Sequence, residues 1–238
     1  MGATWAAEPF SPYGLSHLLV VLLLLAGVAA LVALGRSERG SARAARDARI
    51  LAVAFLALVL PFEAASVARA DVVVEGLPLQ LCDVAGLLSP YALWTRRPWA
   101  AAVMYYWGLS LTTQAVLTPD LSADFPDLVF VQFWGLHLLI VWTAAFLTWG
   151  LGIAPDWHGY RVTILVSLGW MASMIAFNAM TGSNYGFLNA KPDAASALDL
   201  LGPWPWYVLA EVAIVLTAWA LMTWPWVRRG PSTGPSTD

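Results

Sequence analysis

The chain has 238 residues, 60% of them hydrophobic and 11% charged, with a mean hydropathy of +0.69. That balance excludes an ordinary soluble domain and indicates an integral membrane protein. A formal charge of -3 and a pI near 5.5 argue against nucleic acid as a partner, and a single cysteine excludes an internal disulfide.

Crossing ~30 Å of hydrocarbon takes roughly 20 apolar helical residues. Such stretches are predicted at 16–34, 50–68, 77–94, 99–117, 128–149, 161–180 and 205–227, seven in all. The expected fold is therefore an all-α, polytopic membrane helical bundle of seven transmembrane helices. It forms one domain over 1–229, followed by a disordered Gly/Pro/Ser/Thr tail over 230–238.

The first span opens near His17 and holds the small pair Ala29 and Ala30, as a signal peptide might. Glu8 is the only side-chain charge before His17, however, so the segment is expected to stay as a helix. The alanines and arginines after Ser41 extend the second helix onto the headgroups, with the arginines a solvated face against anionic lipid. That helix carries Glu63. The third carries Gln80, Cys82 and Asp83, and there Cys82, Gly86 and Ser89 share one face at i, i+4 and i+7.

In the fourth span Ser110 and Gln114 align at i, i+4. Asp120, Asp124 and Asp127 precede the fifth, which carries Gln132 and His137. Met174, Asn178 and Thr181 align in the sixth, and Tyr207 and Glu211 in the seventh. The stretch between these last two, Gly182 to Tyr207, has Pro192, Pro203 and Pro205 as helix breakers and is expected to fold back as a lid.

Ten of the twelve basic residues fall in alternate connections: Arg36, Arg39, Arg43, Arg46, Arg49, Arg96, Arg97, Arg161, Arg228 and Arg229. Only Arg69 and Lys191 lie on the other side. Because short basic loops resist translocation, the N-terminus is expected outside and the C-terminus inside.

So oriented, nearly all the polar side chains of the spans fall in their outer halves. Counting at 1.5 Å per residue puts Cys82 and Glu63 ~7 Å deep, Glu211 ~9 Å and His137 ~13 Å. The inner halves hold no Asn, Gln, His or carboxylate. A polar group in hydrocarbon is costly unless partnered or wetted, so the layer implies a cavity open to the outside rather than a through-pore.

Each residue has a plainer reading. A lone cysteine in an apolar helix is usually a small buried hydrophobe, and His137 is more often a packed, hydrogen-bonded ring than a catalyst. Gln114, Gln132 and Asn178 are ordinary interhelical glue, and His17 is an interfacial, wetted ring. Glu63 and Glu211 are harder to set aside, because isolated carboxylates at depth are expensive. No lysine in the last span supports a retinal Schiff base. His17 and His137 differ in depth by ~12 Å, against a bis-histidine haem. No cluster has zinc spacing, so no metal or cofactor is expected.

Four stretches carry a resemblance. They are Leu77 to Asp83 (LPLQLCD), Gln114 to Leu121 (QAVLTPDL), Gly182 to Tyr185 (GSNY) running on through Phe187 and Leu188 to Lys191 and Pro192, and Leu201 to Tyr207 (LGPWPWY). With these the chain resembles the bacterial YwaF-like integral membrane proteins, relatives of the animal transmembrane protein 164 family, from about His17 to Trp226. The animal relatives are lipid acyltransferases with an essential membrane cysteine and histidine. The resemblance maps these onto Cys82 and His137, and implies membrane phospholipids as partners and a bacterial inner membrane as location. In bacterial relatives the position two before the cysteine is often histidine; here it is Gln80.

Two readings of the site are open. In one, His137 deprotonates Cys82, and the thiolate carries an acyl chain between phospholipids as a thioester. Gln80, Gln114 or Asn178 then serves the oxyanion, Asp83 or Glu211 orients the imidazole, and Glu63 and Tyr207 complete the pocket. In the other, Glu63, Asp83, Glu211 and His137 bind or relay a proton or small ligand in a carrier or receptor, and Cys82 is incidental. A structural protein without a ligand explains the polar layer least well.

Overall fold

The computed structural model describes residues 9–74, 76–119, 121–191 and 197–228, so Glu8, Asp120, Pro192 and the tail 230–238 lie outside the described residues. All regular structure among the described residues is helical: α1 (Leu15–Glu38), α2 (Ala42–Arg69), α3 (Leu81–Thr95), α4 (Pro98–Tyr106), α5 (Thr112–Leu117), α6 (Leu128–Ala145), α7 (Trp157–Thr181) and α8 (Trp206–Arg228), with short π and 3₁₀ turns.

Local chemistry sets many of these boundaries. The Ser41 hydroxyl accepts from the Ala44 amide, so α2 begins among the arginines as expected. Asp127 and Asp156 cap α6 and α7 through the amides of Val129 and Gly159, at 2.8 and 2.6 Å. Gly182, at φ +76, ends α7 in the left-handed conformation that glycine adopts without strain.

Among the described residues, five helical stretches are long and apolar enough to cross a membrane: Leu15–Glu38, Ala42–Arg69, Leu128–Gly150, Trp157–Thr181 and Trp206–Arg228. The third and fourth predicted spans differ. Residues Leu77 to Gln80 stay outside the helix, leaving α3 at 15 residues, or ~22 Å. The fourth is divided where a π segment, Trp107–Leu111, separates α4 from α5. That i→i+5 turn shifts the register, so the i, i+4 stripe predicted for Ser110 and Gln114 does not hold.

The helices group into two compact units, Met1–Ile153 and Ala154–Asp238. In the first, α6 is central, packing on α1, α2, α3, α4 and α5. Close approach is built on glycine: a Cβ on Gly35 would meet the Gly150 Cα at 2.6 Å, and one on Gly27 the Trp142 ring at 2.3 Å. The Arg39 guanidinium donates to the Gly150 carbonyl at 2.8 Å and to the Trp149 carbonyl at 2.8 Å, satisfying the π segment that ends α6, Phe146–Gly150. In the second unit, α7 packs on α8, and the turns between them fold onto their ends.

Candidate functional site

In the first unit, α2, α3 and α6 converge at Gly86. A side chain there would meet Leu136 Cδ1 at 2.3 Å and Val59 Cγ1 at 3.9 Å. One α2–α3 register is fixed at this point and again where Arg49 lies over the Trp94 ring at 5.5 Å. Extended one helical turn toward the start of α3, it brings Glu63 to the level of Asp83. The α2–α6 register, marked by Phe62 against Gly135 and by Arg69 donating to Gln132 Oε1 at 3.0 Å, brings the same level of α6 alongside.

Cys82 is half-buried, and the Thr112 hydroxyl, on a fully buried residue at the start of α5, is the polar side chain set toward its thiol. Asp83 and Gln80 are less available than their composition suggests. The Asp83 carboxylate accepts from the Gln80 amide at 3.0 Å, and the Gln80 side chain accepts from the Asp83 amide, forming a capping box that starts α3. Glu63 is buried, an electrostatic neighbour of Asp83, with no hydrogen bond or ion pair to another described residue.

His137 is buried too, its ring over Phe133 at 4.2 Å between centroids and its Nδ1 2.6 Å from the Phe133 carbonyl. A carbonyl only accepts, so Nδ1 carries the proton and Nε2 keeps a lone pair. The fold thus orients the imidazole through its own helix, with Phe133 in the part expected of Asp83 or Glu211. That bond also folds the ring back by a turn of α6. From the Gly86–Leu136 contact, Cys82 lies one turn above Gly86, level with residues near Gln132 and Phe133.

Gln114 does not join this group: it is exposed, and Thr112 is the polar residue of that segment that reaches the thiol. Sequence reasoning missed Thr112, because helical spacing from Gln114 points elsewhere once the π segment is ignored. His17 is not a wetted ring but a buried one, accepting the Tyr13 amide at Nδ1, 2.9 Å, and donating from Nε2 to the Val116 carbonyl, 2.9 Å. Near it, a cavity of about 470 Å³ is lined by Ser16, Asp124 and Phe130 among others, with none of the predicted site residues.

Asn178, Tyr207 and Glu211 lie in the second unit. Asn178 Oδ1 accepts from the Tyr185 amide and the Ser183 hydroxyl, both at 2.9 Å. Its Nδ2 donates to the Tyr185 carbonyl at 3.0 Å and to Asn189 Oδ1 at 3.4 Å. Every hydrogen-bonding position of that amide is in use. The Tyr207 hydroxyl donates to the Phe187 carbonyl at 2.5 Å, and the Trp204 indole to the Leu188 carbonyl at 3.0 Å. The unusual Gly-Ser-Asn-Tyr and Gly-Pro-Trp-Pro-Trp-Tyr stretches therefore fasten one loop. Glu211 is half-buried on α8, an electrostatic neighbour of Tyr207.

A family model described as the TMEM164 family matches residues 12–223. No curated protein and no solved structure matches the chain.

Proposed function

The chain belongs to the TMEM164 family and is an integral membrane protein, and from that premise we propose that it is a Cys/His lipid acyltransferase. The observation that carries this is the His137 tautomer. A buried imidazole with Nδ1 committed to a backbone carbonyl offers Nε2 as a base, on a helix that packs against the one bearing Cys82.

In the proposed reaction His137 Nε2 takes the thiol proton, and the Cys82 thiolate attacks the ester carbonyl of a phospholipid. The tetrahedral oxyanion collapses with loss of the lyso-lipid alkoxide, which takes the proton from the imidazolium, leaving an acyl-thioester. The hydroxyl of an acceptor lyso-lipid, deprotonated by His137, then attacks the thioester. The new ester departs, and the thiolate recovers its proton. Thr112 acts as a positioning residue, fixing the thiol rotamer and donating to the thiolate once it forms. An apolar surrounding that keeps water out favours transfer over hydrolysis.

The reading includes seven crossings, with α3 and the α4–α5 segment as the two short ones, the N-terminus outside and the C-terminus inside a bacterial inner membrane. It also takes phospholipids as donor and acceptor. Support comes from the bias of arginine among the connections and from the family.

Purified protein given phospholipid with a labelled acyl chain is expected to form a hydroxylamine-sensitive adduct. Cys82→Ala abolishes the adduct, and His137→Ala slows its formation by about a hundredfold or more. No adduct in wild type across a broad lipid panel sinks the proposal. The carrier reading rests on Glu63, a buried carboxylate with no hydrogen bond to another described residue. Solute uptake that survives Cys82→Ser and fails in Glu63→Gln would select it.

A further inference from the structure

At the arginine-rich end of the first unit, one side of α2 and the Trp94 ring of α3 line a shallow, open groove of about 650 Å³. Its lining runs along the helix at i, i+3, i+4, i+7 spacing: Ala42, Ala45, Arg46, Arg49, Ile50, Val53, Ala54 and Ala57. This stripe lies beside the one that packs inward, where Ala44, Ala48, Ala52, Phe55 and Val59 are buried. The groove is open because alanines line its floor, and it is graded lengthwise. Its first turns carry guanidinium groups; the rest, from Ile50 to Ala57, is entirely apolar over ~10 Å.

We infer that this groove is a binding site for one anionic phospholipid, its phosphate at Arg49 and Arg46 and an acyl chain along Ile50, Val53 and Ala57 against Trp94. The charges favour an anion. Arg43 and Arg46 stand near Glu38 and Asp47, two cations against two carboxylates, and Arg49 lies outside that balanced group. Arg46 is paired with Asp47 at 2.8 Å, but Arg49 has no hydrogen bond or ion pair to any described residue. Its guanidinium lies over the Trp94 ring at 5.5 Å, so stacking holds the group in place while its five N–H donors stay open to a phosphate. No carboxylate lines the groove itself.

The apolar portion selects the source of that phosphate. Ile50 and Val53 are each 58% exposed and Trp94 50%, an apolar wall that a soluble anion leaves uncovered and an acyl chain covers. An indole with a cation above it, at the junction of charged and apolar turns, suits the headgroup level of a bilayer. The site needs no catalysis, so it stands whether or not Cys82 is a nucleophile.

The test uses the full chain in phosphatidylcholine nanodiscs containing a minor fraction of phosphatidylglycerol with brominated acyl chains, which quench nearby tryptophan. The difference between wild type and Trp94→Phe isolates the Trp94 signal. Brominated phosphatidylglycerol is expected to quench it at about fivefold lower mole fraction than brominated phosphatidylcholine. Arg49→Gln is expected to bring the two lipids together, whereas Arg49→Lys keeps part of the preference. Equal quenching by both lipids in wild type, or a preference unchanged in Arg49→Gln, overturns the inference. Loss of the preference with excess inorganic phosphate, at matched ionic strength, also overturns it by showing a phosphate site rather than a lipid one.

Discussion

Two polar clusters, one in each unit, are built from the same kinds of residue and are wired differently. Around Asn178 every donor and acceptor of the amide is met, by two backbone and two side-chain groups of the 183–189 loop. Around Cys82 the contacts are few: Thr112 lies toward the thiol, the imidazole is bonded to the Phe133 carbonyl, and Glu63 has no partner among the described residues. A closed network holds shape; an open one keeps groups in reserve for something that arrives. Polar residues with the same sequence signature thus divide by whether their valences are spent.

That division can be broken by mutation. Asn178→Ala removes the buried partner of the Tyr185 amide and carbonyl and should destabilise the protein by about 2 to 6 kcal/mol, since each unsatisfied buried group costs roughly 1–3. The thermal midpoint in detergent reads this loss, and acyl adduct per folded molecule should persist. If the midpoint holds and the adduct vanishes, Asn178 belongs with the chemistry after all. Next in size, Thr112→Val should slow adduct formation about tenfold, or ~1.4 kcal/mol in the barrier, with little change in midpoint. Thr112→Ser should restore most of the rate; a variant that merely unfolds earlier makes Thr112 a packing residue.

Glu63→Gln should raise stability by about 1 kcal/mol, because an unpartnered carboxylate at depth is a liability that an amide lessens. A falling midpoint would mean that Glu63 is held by a partner, and the open character of the cluster would be lost. The smallest effect is expected of Gln114→Ala: an exposed side chain should change stability by no more than about 0.5 kcal/mol and leave the adduct unaffected.

The long helices were legible because apolar length and arginine-marked ends are properties of composition. Helix α2 starts where Ser41 caps it, whereas α7 begins at Trp157 on the Asp156 cap, four residues ahead of the apolar run that marks the sixth span. What was not legible depends on contact. Gln80 and Asp83 read as an oxyanion donor and an imidazole partner, yet they cap each other, because the chain before Leu81 turns away from the helix. Thr112 reads as a helix filler and touches the thiol, because a π segment turns its face. His17 reads as wet and is sealed, since a backbone carbonyl from α5 happens to meet its second nitrogen. Spacing along a helix predicts faces only while the helix keeps one pitch.

The clasp between Arg39 and the last carbonyls of the α6 π turn sits at the opposite end of α6 from the level of Phe133. The helix that presents the imidazole is thus tethered far from where it would work, through the arginine that follows α1. A change at Arg39, remote from any thiol or ring, would loosen the mounting while leaving the tool untouched.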